Sequence, residues 1–177
     1  MKTNSARSDF VGSELNHFEE IIQTYEKAVV QFAFTYVKDW TVAEDISQEV
    51  FLKVYKNLYN FERRSQLKTW IFSITANQCK DYLRSARRVN RWILELMNGS
   101  HEQPHDSPET IFLQNEKNSS LGEELLRLPI KYREVLVLYY YEDLATKEIS
   151  ELLNVKDSTI RTRLERGRNL LKELIKE

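Results

Sequence analysis

The chain has only four glycines and three prolines in 177 residues, well below the roughly 7% and 5% of average proteins. Folds with many tight turns need those residues, because glycine supplies left-handed backbone and proline pre-sets turn geometry. Their scarcity selects for long helices, and the apolar residues repeat accordingly. Phe18, Ile21, Ile22, Tyr25, Val29, Phe32, Tyr36 and Val37 recur at three- and four-residue steps, which predicts a first helix from about His17 to Lys38. A second is predicted after Trp40, with Thr41 as its N-cap. Its buried stripe is Val42, Ile46, Val50, Val54 and Leu58, widened by Phe51 and Tyr55. A break over Tyr59 to Ser65 precedes a third helix, Gln66 to about Arg88, with Ile71, Phe72, Ile74, Ala76, Cys79 and Leu83 inward. Three such helices can enclose one small core.

The next stretch, NGSHEQPHDSP from Asn98 to Pro108, gathers most of the turn-forming residues and reads as a linker. Beyond it Leu121, Leu125, Leu126, Leu128 and Ile130 open a second apolar cluster. Pro129 is expected in the first turn of a helix running to Tyr141, with Val135, Leu136, Leu138 and Tyr139 buried. No internal repeat is visible. The expectation is an all-α chain of two small helical domains joined by a flexible acidic linker.

Charge separates along the chain although the net value is only −1. Lys80 to Arg91 carries +4, and so does Lys156 to Lys172, while Glu95 to Glu124 between them carries −6. Two basic patches on an acidic tether suit a protein that touches phosphates in two places; a solvated helix surface is the bland reading of either patch alone. Other classes find less support. Apolar runs stay short of the roughly 18 residues a membrane span needs. The polar stretch Met1 to Gly12 has no signal-peptide core, so the cytoplasm is the expected location. Cys79 is the only cysteine, and His101 and His105 lack companions in a polar linker, so no metal or other cofactor is expected. With no nucleophile–base pair and no glycine-rich phosphate loop, neither an enzyme nor a small-molecule substrate is indicated.

The C-terminal fifth carries the most specific motif. Thr146 to Leu153 and Asp157 to about Ile175 are two helices separated by Asn154, Val155 and Lys156. Asn tolerates the left-handed geometry of a helix-turn-helix corner. Ile149, Leu153, Val155, Ile160 and Leu164 can pin the helices together, and Asp157 or Ser158 can cap the second one. That helix leaves Ser158, Thr159, Arg161, Thr162, Glu165 and Arg166 outside its buried stripe, where side chains of such a helix reach base edges in a major groove. In the N-terminal half, Asp45, Gln48, Glu49 and Leu52 fall at i, i+3, i+4 and i+7, an acidic face with an apolar edge. Spacing alone favours a solvated surface there. The third helix adds Lys68, Trp70 and Asn77 ahead of its basic run, an aromatic-and-cation mixture suited to single-stranded DNA. Core packing accounts for Trp70 nearly as well.

AEDISQEVFLKVYKNL (Ala43 to Leu58) with LKTWIFSITANQCKDYLRSARR (Leu67 to Arg88) closely resembles region 2 of sigma-70-family factors, and LPIKYREVLVLYYYEDLATKEISELLNVKDSTIRTRLERGRNLLKEL (Leu128 to Leu174) resembles region 4. Having these two regions alone, the chain is similar to the extracytoplasmic-function (ECF) group. The resemblance implies a tail over 1–13, region 2 over 14–92, a linker over 93–120 and region 4 over 121–177. It implies an alternative sigma factor that binds core RNA polymerase, through the β′ clamp helices and the β flap, and directs it to promoter DNA. Asp45, Gln48, Glu49 and Phe51 match the clamp-helix surface. Phe61, Arg63, Arg64 and Ser65 match the loop that captures a flipped base of the −10 element, together with Asn77. Trp70 lies in the family's Thr-Trp signature, divided between packing and melting. Arg84, Arg87 and Arg88 fit the −10 duplex backbone, and Arg161, Thr162, Glu165 and Arg166 match −35-reading positions. The acidic linker resembles the segment that runs toward the polymerase active centre. Many ECF factors answer stress or envelope signals and are held inactive by an anti-sigma factor, often membrane-anchored, which is the expectation here too.

The chain departs from the pattern at two places. Ala145 stands where many relatives have the serine of a capping box with Glu148, so the helix start is expected to shift to Thr146. Glu165 favours cytosine N4 and repels phosphate. Two other readings remain open: a dimeric helix-turn-helix repressor or activator, and a helical adaptor that binds only protein.

Overall fold

The computed structural model describes the backbone over 3–61, 65–96 and 119–176, and side chains over 16–61, 65–89 and 121–176. Among these residues the elements are α1 (Thr3–Val37), α2 (Trp40–Asn57), a 3-10 turn (Leu58–Asn60), α3 (Leu67–Leu96), α4 (Ser119–Arg127), α5 (Ile130–Tyr140), α6 (Thr146–Leu153) and α7 (Asp157–Leu174). No strand occurs among them. No helix among the described residues is long and apolar enough to cross a membrane.

The helices fall where the periodicity puts them, and their ends differ. α1 starts at Thr3, so the segment expected as a tail over 1–13 is helical from there. Once a helix is nucleated, each further residue adds a hydrogen bond at little cost, and no proline interrupts this stretch. α1 ends at Val37, where Lys38 takes φ 57° and donates its N–H to the Phe34 carbonyl at 2.8 Å. The cap of α2 is Asp39, not Thr41: its extended backbone aims the carboxylate at the Val42 N–H, 3.0 Å away. Thr41 already lies inside the helix and cannot cap it. α3 passes Arg88 and runs to Leu96, leaving 97–118 of the expected linker, with His101 and His105, outside the described residues.

α1 packs against α2 and α3, and Val29, Phe32, Val50, Val54, Ile71 and Phe72 form the fully buried centre of this first module. Phe32 stands 5.3 Å, centroid to centroid, from both Phe72 and Tyr36. On another side of α1, Phe34 stacks on Trp40 at 4.2 Å. The second module is built on α5, against which α6 and α7 pack. Gly167 permits that approach: a Cβ there would lie 3.1 Å from Leu136 Cδ1 and 3.3 Å from Tyr132 Cβ.

The modules are not separate. α5 packs on α1, and α6 packs on α3. This corrects the burial read from α5's sequence. Arg133, Glu134 and Val137 are buried along with Val135, Leu136 and Leu138, whereas Tyr139 is exposed and meets Tyr140 edge to face at 5.0 Å. A helix covered by α1 as well as by its own module must hide more than one stripe.

Candidate nucleic-acid interface

The helix-turn-helix forms as its residues dictate. Asn154 adopts the left-handed corner, φ 53° and ψ 50°. The Val155 N–H donates to the Ser150 carbonyl at 3.0 Å, and the Ser150 hydroxyl donates to the Val155 carbonyl at 2.6 Å. The corner is thereby closed from both sides. Ile149, Leu153, Ile160 and Leu164 are buried between the helices, with Val155 partly so. α6 begins at Thr146, and half of the capping box survives: Glu148 Oε2 accepts the Ala145 N–H at 2.8 Å.

Neither Asp157 nor Ser158 caps α7. The cap position is Lys156, which makes no side-chain cap bond, and Asp157 is the first helical residue. From there Asp157 accepts from Arg161 Nε at 2.8 Å. The neighbouring Thr146 hydroxyl, then the Arg161 guanidinium, holds its carboxyl below the usual carboxylate range. A negative charge in the first turn also complements the helix dipole. Ser158, Thr159, Arg161, Thr162, Glu165 and Arg166 are all exposed on α7. The Thr162 hydroxyl donates back to the Ser158 carbonyl at 3.0 Å, fixing its direction. One outward face thus combines two guanidinium groups, three hydroxyls and one carboxylate.

On α3, Trp70 is half-buried and stacks on Phe61 at 4.8 Å with 28° between the planes. Beside this pair lies a groove of about 480 Å³ lined by Lys53, Asn57, Asn60, Phe61, Ser65, Trp70 and Ile74. Asn77 is exposed one turn beyond Ile74, on the face that carries Trp70 and Ile74. Arg63 and Arg64 lie outside the described residues. Arg84, Arg87 and Arg88 are exposed, Arg84 paired with Asp81. Lys68 is not turned to solvent: its ammonium donates to the Glu142 carbonyl oxygen at 2.6 Å and lies 3.0 Å from the Glu142 carboxylate.

Asp45, Gln48 and Glu49 are exposed on α2, and Gln78 of α3 donates to Glu49. Phe51 differs from its expected place among them. It is 6% exposed and lines a groove between α1 and α2 with Ile22, Trp40 and Gln48. Leu52, 59% exposed, supplies the apolar edge of the face instead. The reason is the helical step, which turns position 51 toward α1 when 48 and 52 face out.

Two features escaped the sequence reading. Glu134 is buried in contact with Tyr36, Lys80 and Arg163, so two cations counted into the basic patches serve an internal carboxylate. A groove of about 620 Å³ also runs along the second module, lined by Leu121, Leu125, Leu136, Tyr140, Leu171 and Ile175 with Arg168, Lys172 and Lys176 at its rim. Its signal was present in the exposed Tyr140, Tyr141 and Ile175, apolar residues outside any buried stripe. Cys79 is buried, and burial pushes its thiol up to about 12.

Comparison with known proteins agrees with this layout. The family model of sigma-70 region 2 matches residues 21–89, and that of sigma-70 region 4 matches residues 119–171. The ECF RNA polymerase sigma factor SigM of Bacillus subtilis (strain 168) is 31% identical over 156 residues, covering 88% of this chain and 93% of the relative. SigW, an ECF sigma factor of the same organism, is 29% identical over 168 residues, with 90% and 89% covered. The fold is similar to that of the sigma factor RpoE solved in complex with the anti-sigma factor NepR from Bartonella quintana. The TM-score is 0.70 at 23% identity, over 90% of this chain and 97% of that one. The chain belongs to the sigma-70 family of RNA polymerase sigma factors, in its ECF group.

Proposed function

We propose that this sigma factor divides promoter recognition between its two regions, with α7 reading the −35 element as intact duplex and the α3 side of region 2 opening the −10 element. One observation carries the reading: a formed helix-turn-helix with its six candidate contact residues all outward stands in the same chain as an aromatic-lined groove beside a basic helix. Duplex DNA displays all four base pairs distinctly in its major groove, so α7 has the chemistry to read it. Opening DNA costs unstacking energy, and a pocket that holds an extruded base returns part of it. The groove between Phe61, Ser65 and Trp70 is that pocket, with Asn77 beside it and Arg84, Arg87 and Arg88 along the phosphates. Asn77→Ala is expected to reduce open-complex formation, followed by permanganate reactivity of unpaired thymines, more than it reduces initial binding. Equal losses at both stages would remove base capture from Asn77.

Region 2 meets the polymerase β′ clamp helices through Asp45, Gln48, Glu49 and Leu52, and Phe51 supports that face from below. The basic-rimmed groove of region 4 receives the β flap. Asp45→Ala combined with Glu49→Ala should weaken core binding by about tenfold or more, since charge-assisted contacts are worth about 1.5–3 kcal/mol each, with helix content unchanged. Unaltered affinity in a fluorescence titration would withdraw the clamp assignment. A relative of like fold was solved with an anti-sigma factor, and the same kind of control, tied to a stress or envelope signal, is proposed here. The place of work is the cytoplasm, where polymerase and DNA meet. The whole reading is tested by run-off transcription from a genomic promoter library, using core polymerase with and without the chain. Promoter-specific transcripts are expected only with it; operator binding as a dimer without polymerase would replace the reading with an ordinary repressor or activator.

A further inference from the structure

Glu134 lies near the middle of α5 and is only 4% exposed. A buried carboxylate needs opposite charge and hydrogen bonds to be tolerated, and most of its partners come from the other region. Tyr36 of α1 donates its hydroxyl at 2.6 Å, and Lys80 of α3 stands at 3.3 Å. Arg163 of α7 completes the shell at 3.1 Å. Around this cluster the seam is closely packed. Phe32 and Thr35 of α1 face Leu125, Val137, Tyr141 and Glu142, and the cavity left between them is about 20 Å³, room for no more than a single water. The paired Lys68 and Glu142 form a second strap across the same seam. Lys80 and Arg163 belong to the two helices assigned to DNA, so one internal carboxylate neutralises a cation from each.

The closed arrangement is incompatible with the division of labour proposed above, on which this inference rests. Elements centred at −10 and −35 are about 25 base pairs apart, about 85 Å of duplex at about 3.4 Å per pair. Here α6 packs directly on α3, and packed helix axes are separated by only about 8–10 Å. Both regions cannot reach their elements without parting. We propose that Glu134 is a latch that holds the free chain closed, and that its contacts with Tyr36 and Lys80 break when the two regions engage polymerase and promoter. Phosphate oxygens can then replace the Glu134 carboxylate as the partner of Lys80, while Arg163, in the same region as Glu134, stays with it. A ligand that binds only the open form is weakened by the fraction of molecules that are open, so the latch sets the apparent affinity for core polymerase.

The test uses the full chain labelled with a donor and an acceptor dye at Ser85 of α3 and Glu151 of α6, both exposed. Single-molecule transfer should show one close population in the wild type. Glu134→Gln should raise the open population tenfold or more with helix content unchanged, and should raise apparent core affinity by the same factor. Lys80→Gln alters a residue at the seam's margin, so it keeps the question decidable if Glu134→Gln folds poorly; about threefold opening is expected. A wild type already open, or folded variants with unchanged transfer, would overturn the latch. Opening without any gain in core affinity would overturn its coupling to polymerase. Failure of the wild type to bind core at all would strike the sigma-factor assignments, while the transfer data would still decide the latch.

Discussion

Phe32→Ala is expected to cost about 3–5 kcal/mol of stability, the range for emptying a fully buried aromatic site. Phe32 of α1 is completely buried between α3 and the α5 side of the seam, and its ring packs near two others, Tyr36 and Phe72. Neighbours fixed on three helices can collapse only partly into the space, so both the lost transfer energy and the cavity count. A typical domain has a total margin of about 5–15 kcal/mol, so the variant should be near unfolding in region 2. Phe32 also lines the seam with region 4, and region 4 should loosen from it at lower denaturant than in the wild type. Equilibrium urea unfolding followed by circular dichroism gives the number. Leu52→Ala, on an exposed position of the same module, should stay within about 0.5 kcal/mol. A Phe32→Ala loss below about 1 kcal/mol would mean that this core is not packed as described.

Arg166→Ala should weaken binding of −35 duplex by about 1–3 kcal/mol, roughly 5- to 150-fold, if the guanidinium reads a base edge. Arg166 is exposed on the outward face of α7 and has no ion-pair partner among the described residues. Arg161 differs, since Asp157 holds its Nε at 2.8 Å; that carboxylate orients Arg161 and offsets part of its charge. The Arg166 loss should therefore be the larger of the two and should depend on sequence, shrinking on duplexes altered at the base it contacts. Binding isotherms on matched and mutated duplexes at several salt concentrations separate the alternatives. A loss that is equal on all sequences, with the salt slope reduced by about one, would make Arg166 a phosphate contact.

Much of the site was legible because its parts are local. The corner at Asn154 needs a residue that tolerates positive φ, and the pins Ile149, Ile160 and Leu164 sit at helical spacing around it. The six outward residues of α7 follow from the same period. Tyr55 and Tyr139, expected inside, are exposed for one reason: periodicity tells which positions are apolar, and a side chain at the edge of a stripe goes in or out according to what packs beside it. Phe51 stays in the stripe, against α1, rather than on the surface the family resemblance implied, and Tyr139 is left out because α6, α7 and α1 already cover the rest of α5. Asp39 and Thr41 are both capping types, two residues apart, and the backbone φ and ψ decide that Asp39 takes the position.

The amino-acid order by itself determined the helical fold, the two modules, the corner of the reading motif and the family. Each of these depends on residues within a few turns of one another, or on motif spacing. Only the tertiary structure decided that α5 docks on α1, that α6 docks on α3, and that Glu134 is buried among Tyr36, Lys80 and Arg163. Nothing near Glu134 in the chain marks it as internal, since a carboxylate in a helix is ordinarily solvated. Its partners at positions 36 and 80 are brought to it by long-range packing, and the energy of a buried charge depends on where those partners stand in space.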